Sequence, residues 1–210
     1  MVHPSQLAAI LRFHLAETTL LMTGRIAVHC ACLSIDNRAI LLMGGPGFGK
    51  STLAMFADDW GLSLCGDDIA LFDTNTGTIS PVALPLTLKK GSWPLRSASL
   101  REGRDFVCSE RQDGVSVRYL SLPRPVQSVP LEIGGMIYLN RSETGPAVLS
   151  SWSKTDCLRH VCSESKSPSG KASVADIGAF VTAISNAQTM VISYSDADEA
   201  GKLLVQHFGE

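Results

Sequence analysis

Ala39-Ile40-Leu41-Leu42-Met43-Gly44-Gly45-Pro46-Gly47-Phe48-Gly49-Lys50-Ser51-Thr52 is the stretch whose reading decides the fold. Residues 39–43 are an unbroken apolar run, as a buried strand would be, and residues 44–51 then satisfy the pattern Gly-x-x-x-x-Gly-Lys-Ser. Glycines let a tight turn aim successive backbone N–H groups inward at an anion, and the positive end of the following helix adds to that field. In such a loop Gly44, Gly45, Pro46, Gly47, Phe48 and Gly49 form a cradle for the phosphates of a nucleotide. Lys50 neutralises the β and γ oxygens, Ser51 ligates Mg²⁺, and Thr52 continues the phosphate-binding turn. A chance glycine-rich turn is the competing reading, but it would not need a strand before it and a helix after it. Residues 50–59 carry that helical pattern, which stops at Trp60-Gly61.

Upstream, residues 25–35 are apolar or small, and Asp36-Asn37-Arg38 separates them from the loop strand, so a β-hairpin is expected to lead into the loop. Downstream, a strand at residues 62–64 carries Gly66-Asp67-Asp68 at its end and continues to 69–72. Sequential elements tend to be neighbours, so this strand is expected beside the one feeding the loop. Adjacent residues of a strand face opposite ways. One aspartate would then hold Mg²⁺, directly or through water, while the other orients or deprotonates an acceptor hydroxyl. A turn or helix-cap pair of acids is the alternative. His29 lies in the first hairpin strand, where a lone histidine is more often structural than catalytic.

Further along, Asp73-Thr74-Asn75-Thr76-Gly77 is a turn by composition. Residues 81–94, with several prolines and Lys89-Lys90-Gly91-Ser92, read as a working loop near the site. Strands are expected near 115–120, 133–139 and 190–194, and helices near 154–164, 173–186 and 196–208. Residues 163–173, rich in Ser, Lys, Pro and Gly, read as a mobile loop. An amphipathic helix is expected from about Ser5. It is too broken by Arg12, His14, Glu17 and threonines to be a signal peptide or a membrane span.

The chain has 210 residues, 45% of them hydrophobic, which is enough for one α/β domain. With 18 basic and 20 acidic residues and a net charge of −2, it has no general field for nucleic acid or an anionic membrane. Six cysteines lack the Cys-x-x-Cys spacing of a structural zinc site and read as small buried hydrophobes in a reducing compartment, the cytoplasm.

From Val28-His29 through Gly44 to Ser51 and on to Gly66-Asp67-Asp68, the chain resembles the catalytic core of HPr kinase/phosphorylase and its related kinases. Fifteen positions separate His29 from Gly44 and twenty-three separate Gly44 from Asp67, intervals similar to that family's. The resemblance implies a single catalytic domain over 1–210, with a helical segment at 1–23 and the nucleotide-binding core at 24–92. It also implies a fold like that of phosphoenolpyruvate carboxykinases, with a hairpin entering the phosphate loop. It places His29 close to the phosphates, gives Ser51 to Mg²⁺, makes Asp67 the base that activates a serine hydroxyl, and leaves Asp68 as an added metal or structural acid.

Thr52 stands where bifunctional members of the family have glutamate, and their downstream signature for HPr docking is missing. Residues 84–92 instead resemble kinases of the family that accompany lasso-peptide biosynthesis and phosphorylate a serine of the precursor peptide. On that composition and resemblance Lys89, Lys90 and Ser92 are expected to grip the acceptor, a peptide or protein, or the transferred phosphate; whether the chain forms a homo-oligomer stays open. Two other readings stay open. One is an ordinary P-loop small-molecule kinase, for which Arg101, Arg104 and Arg111 would supply a lid; the other is a nucleotide-binding sensor without turnover.

Overall fold

The computed structural model describes residues 3–96, 105–121, 129–170 and 172–209. After a 3₁₀ turn at Pro4–Gln6 come α1 (Leu7–Thr23), β1 (Ile26–Val28), β2 (Ala31–Ile35), β3 (Arg38–Met43) and α2 (Lys50–Phe56), which a 3₁₀ turn at Ala57–Trp60 extends. Next are β4 (Ser63–Gly66), β5 (Ala70–Phe72), β6 (Ile79–Pro81), β7 (Leu86–Lys89), a 3₁₀ turn at Lys90–Arg96, β8 (Phe106–Glu110) and β9 (Ser116–Leu120). The chain closes with β10 (Glu132–Arg141), β11 (Val148–Ser151), α3 (Lys154–Ser163), β12 (Ser165–Lys166), α4 (Val174–Asn186), β13 (Gln188–Tyr194) and α5 (Ala197–Phe208). The fold is mixed α/β, and among the described residues no helix is long and apolar enough to cross a membrane.

A six-stranded sheet in the order β11-β13-β10-β3-β2-β4 forms the middle layer. Three of its four inner strands, β3, β10 and β13, run parallel, and β2, β4 and β11 are antiparallel to their neighbours. Strands covered on both faces read as continuous apolar runs, which is why residues 39–43 show no alternation. On one face Leu41, Met43 and Met136 pack with α3, α4 and the four-stranded sheet β12-β1-β5-β6, where Phe72 stacks on Phe180 at 4.6 Å. On the other, Ile40, Leu42, Ile137 and Leu139 pack with α2, α5 and the three-stranded sheet β7-β9-β8.

The hairpin forms as expected: β2 pairs antiparallel with β3, and Asp36 and Asn37 turn it at φ 47° and 61°, both left-handed as a two-residue turn of this kind requires. Four expectations need correction. Residues 25–35 are not one strand; β1 belongs to the four-stranded sheet and β2 to the six-stranded one, and the chain changes sheet at His29, whose N–H donates to the Glu164 carbonyl at 3.0 Å. The strand bearing the aspartates, β4, pairs with β2 and not with the loop strand β3. Residues 81–94 are not a loop, because Leu86 and Leu88 alternate inward on β7, which pairs with β9. Finally, residues 163–173 contain β12, which adds to the edge of β1.

Of the cysteines, Cys30, Cys32, Cys65 and Cys157 are buried, but Cys108 is exposed and Cys162 half-buried.

Candidate functional site

The glycine loop leaves the carboxyl end of β3, which parallel pairing sets beside the ends of β10 and β13. Gly44, Gly47 and Gly49 adopt φ of 136°, 89° and 97°, a region open to glycine and strained for other residues. At Gly49 a Cβ would also lie 2.2 Å from the hydroxyl of Tyr194. That hydroxyl donates to the Phe48 carbonyl at 2.8 Å and pins the loop to the end of β13. Among the described residues, the backbone amides of Gly47 and of 49–52 have no protein acceptor. A ring of unpaired donors on glycine-shaped backbone fits a phosphate chain. Lys50 folds over the loop, its Nζ donating to the Gly44 carbonyl at 2.5 Å and the Gly45 carbonyl at 3.4 Å. Burial holds its pKa below the ordinary lysine value, against the pull of nearby acids.

Asp67 follows β4 and is 1% exposed. One carboxylate oxygen accepts the Ser51 hydroxyl at 3.0 Å and the other accepts the Thr87 N–H at 3.0 Å. Burial pushes its pKa up to about 6, with Asp68 adding to the rise and the Thr87 and Ser51 hydrogen bonds opposing it. Its approach is close because Gly66 precedes it: a Cβ there would stand 2.8 Å from the Val82 carbonyl.

Asp68 sits in the bend after β4, not in a strand, and meets different partners at φ 80°, a strained value for a residue with a side chain. Its carboxylate receives Arg12 Nη1 at 2.6 Å and faces His29 Nδ1 at 3.2 Å. Burial alone would raise its pKa, but the Arg12 guanidinium, helped by His29 and Lys50, brings it below the ordinary value. His29 is lowered, mainly by burial, with Asp68 opposing and Lys50 reinforcing the shift. Asp67, and not Asp68, is thus the acid in contact with Ser51.

Arg12 was not among the residues expected here. It reaches in from α1, where its Nε also donates to the Pro85 carbonyl at 3.2 Å, its Nη2 to the Asp67 carbonyl at 3.4 Å, and its guanidinium lies 5.7 Å from the Tyr119 ring centre. A single arginine between Leu11 and Phe13 on the N-terminal helix was the only signal in the sequence.

Ser92 bonds Thr52 hydroxyl to hydroxyl at 2.7 Å, which ties the 3₁₀ turn to the first turn of α2. Lys89 and Lys90 are exposed, and what reaches Asp67 from this segment is the Thr87 amide, not a lysine. Arg111 pairs with Asp113 in the turn between β8 and β9, while Arg101 and Arg104 lie outside the described residues. No cluster of three or more His, Cys, Asp or Glu stands ready for a metal among the described residues.

No protein-family description and no curated protein matches the chain. Among solved structures it is similar to the Hpr(Ser) kinase/phosphatase from Coxiella burnetii, at 14% identity and a TM-score of 0.36, over 87% of this chain and 93% of that one. A likeness that slight carries no conclusion about activity.

Proposed function

We propose that this protein is an ATP-dependent kinase, related to HPr kinases and built on a phosphoenolpyruvate-carboxykinase-like core, that transfers the γ-phosphoryl group to a serine hydroxyl of a peptide or protein. The observation that carries the reading is the hydrogen bond between Ser51 and Asp67. It joins the phosphate loop to a buried acid, so that donor and acceptor chemistry meet at one point.

In this reading the unpaired amides of the loop and Lys50 hold the triphosphate and offset the charge that develops on its oxygens. Ser51, with Asp68 through water, would hold Mg²⁺, which would supply charge withdrawal from the transferred group. The Ser51 hydroxyl donates its hydrogen bond to Asp67 and so keeps its lone pairs for the metal, while Asp67 stays a carboxylate. The acceptor hydroxyl gives its proton to Asp67 as oxygen attacks phosphorus. Asp68 is the outer acid of the metal site, acting through water, and Arg12 and His29 hold it in place. Lys89 and Lys90 form a cationic flank for the acceptor peptide, with Ser92 tying that flank to the loop through Thr52. The cytoplasm supplies the ATP.

The test is labelled ATP and Mg²⁺ with serine-bearing peptides, free serine and HPr as acceptors. Label on a peptide, absent with Lys50→Ala, supports the reading; ATP binding with no transfer to any acceptor overturns it.

A further inference from the structure

A cleft of about 380 Å³ opens beside the phosphate loop, bordered by Gly49, Thr52, Phe56, Trp60, Arg141 and Asp198. Its size is within the range of small-ligand sites. It lies at the carboxyl ends of parallel strands, reached by Arg141 at the end of β10 and by the chain that follows β13. The cleft touches the loop on a different face of α2 from the one used by the acids. Ser51 points to Asp67, whereas Thr52 and Phe56, four residues apart, line the cleft together and Trp60 follows one turn on.

A nucleotide on the glycine loop has two ends. If its terminal phosphate lies toward Ser51 and Asp67, its nucleoside leaves by way of Thr52. Phe56 then stands roughly 6 Å along the helix axis from Thr52, and Trp60 roughly 8 Å farther through the 3₁₀ turn, so the two line the path that a sugar and a base would take. Trp60 is held in place there. Its Nε1–H donates to Asp198 at 2.9 Å, its ring lies 6.1 Å from that of Phe56, and its indole packs so closely on α5 that a Cβ on Gly201 would come within 2.0 Å of it. The indole is nonetheless only half-buried. Asp59, Asp196 and Asp198 outnumber Arg141 around the cleft, and their charge disfavours phosphate here while tolerating an uncharged sugar and base.

We propose that this cleft is the nucleoside site of the donor, with the Trp60 indole as the platform on which the base stacks. The proposal rests on the reading of the loop as a nucleotide triphosphate site. It adds a second point of attachment and a residue, Trp60, that gives the protein a reason to prefer a nucleotide over a bare polyphosphate.

The experiment compares calorimetric binding of ATP and of inorganic tripolyphosphate, both with Mg²⁺, to the wild type, Trp60→Ala, Trp60→Phe and Lys50→Ala. Wild type should bind ATP more tightly than tripolyphosphate. Trp60→Ala should lose ATP affinity by roughly 5- to 150-fold, the range of one base stack, with tripolyphosphate unchanged, and Trp60→Phe should recover most of the loss. Equal wild-type affinity for the two ligands, or ATP binding unchanged in Trp60→Ala, overturns the nucleoside site while the loop reading stands. Failure of the wild type to bind either ligand, or of Lys50→Ala to weaken tripolyphosphate, overturns the loop reading itself. Because Trp60 packs on α5, its alanine variant could fail to fold, so photolabelling of the wild type with 8-azido-ATP gives an independent result. Label on the peptides holding 56–60 or 195–198 supports the proposal, and label confined elsewhere overturns it.

Discussion

Arg12 Nη1 lies 2.6 Å from Asp68 Oδ2, across 56 residues of sequence, and by that contact α1 becomes part of the wall around the acid pair. The arginine side chain is 11% exposed and the aspartate 35%. Breaking the pair by Arg12→Ala should cost about 1–2 kcal/mol, less than for a fully buried pair because water screens Asp68. Arg12→Lys should recover only part of it, since an ammonium cannot span Asp68, the Asp67 carbonyl and the Pro85 carbonyl together. Urea unfolding midpoints of the two variants measure this; an unchanged midpoint in Arg12→Ala would mean that the contact does not anchor the helix.

Lys50→Ala should abolish most phosphoryl transfer and leave the fold intact, because the ammonium serves charge and not packing. Circular dichroism and labelled transfer separate the two effects. Transfer within a few-fold of wild type would remove the basis for the loop assignment.

Asp67→Asn should reduce transfer by roughly 10²- to 10⁴-fold while ATP and Mg²⁺ still bind, as the loss of a positioned base does. Asp68→Asn should instead raise the Mg²⁺ concentration needed for half-maximal rate. Identical behaviour of the two variants, with nucleotide binding lost in both, would mark the acids as a structural pair.

Asp67 also predicts a pH dependence in the metal-free protein. Its folded pKa, about 6, is above the ordinary value, so between about pH 4 and 6 the folded state binds more protons than the unfolded one. Its contribution to stability therefore falls as pH rises through that window, and the penalty is complete above it. Asp68 acts in the opposite sense and lower down: its depressed pKa contributes stability above the ordinary range that is lost as pH falls through its folded value. The stability of Asp67→Asn relative to wild type should rise from pH 4 to 6, as read from paired urea titrations. A constant difference would contradict the buried, ionising acid.

Lys89→Ala combined with Lys90→Ala should raise the KM for a peptide acceptor and leave ATP affinity nearly unchanged. Both side chains are exposed, so the fold should tolerate the change. Loss of ATP binding, or unaltered acceptor kinetics, would exclude the acceptor role.

The parts of this fold that carry local signals were legible in the sequence. Asp36-Asn37 sets a two-residue turn, and Ser153, Ser173 and Asp196 cap α3, α4 and α5 within a residue or two of the expected starts. The phosphate loop announces itself because only glycines permit its backbone. What remained hidden depends on contacts between distant segments. The change of sheet at His29 occurs inside a uniformly apolar run, since both neighbours are equally buried, and periodicity cannot mark it. Leu86 and Leu88 alternate on β7, but the prolines around them argued for a loop. Arg12 joins the site only because α1 is laid against it by tertiary packing, and no spacing rule connects position 12 to position 68.

One strand, β2, stands between the strand that feeds the loop and the strand that ends in the acids. With about 4.8 Å from strand to strand, β3 and β4 are roughly 10 Å apart, and the α2 first turn spans that gap to bring Ser51 to Asp67. The hairpin therefore works as a gauge. Its two-residue turn sets how far β2 slides along β3, β4 is indexed to β2, and the height of Asp67 relative to Ser51 follows. A one-residue change in that remote turn would leave the loop and the acids chemically complete yet out of step with each other, so the match between Ser51 and Asp67 is set in part at Asp36 and Asn37, on the opposite end of the sheet.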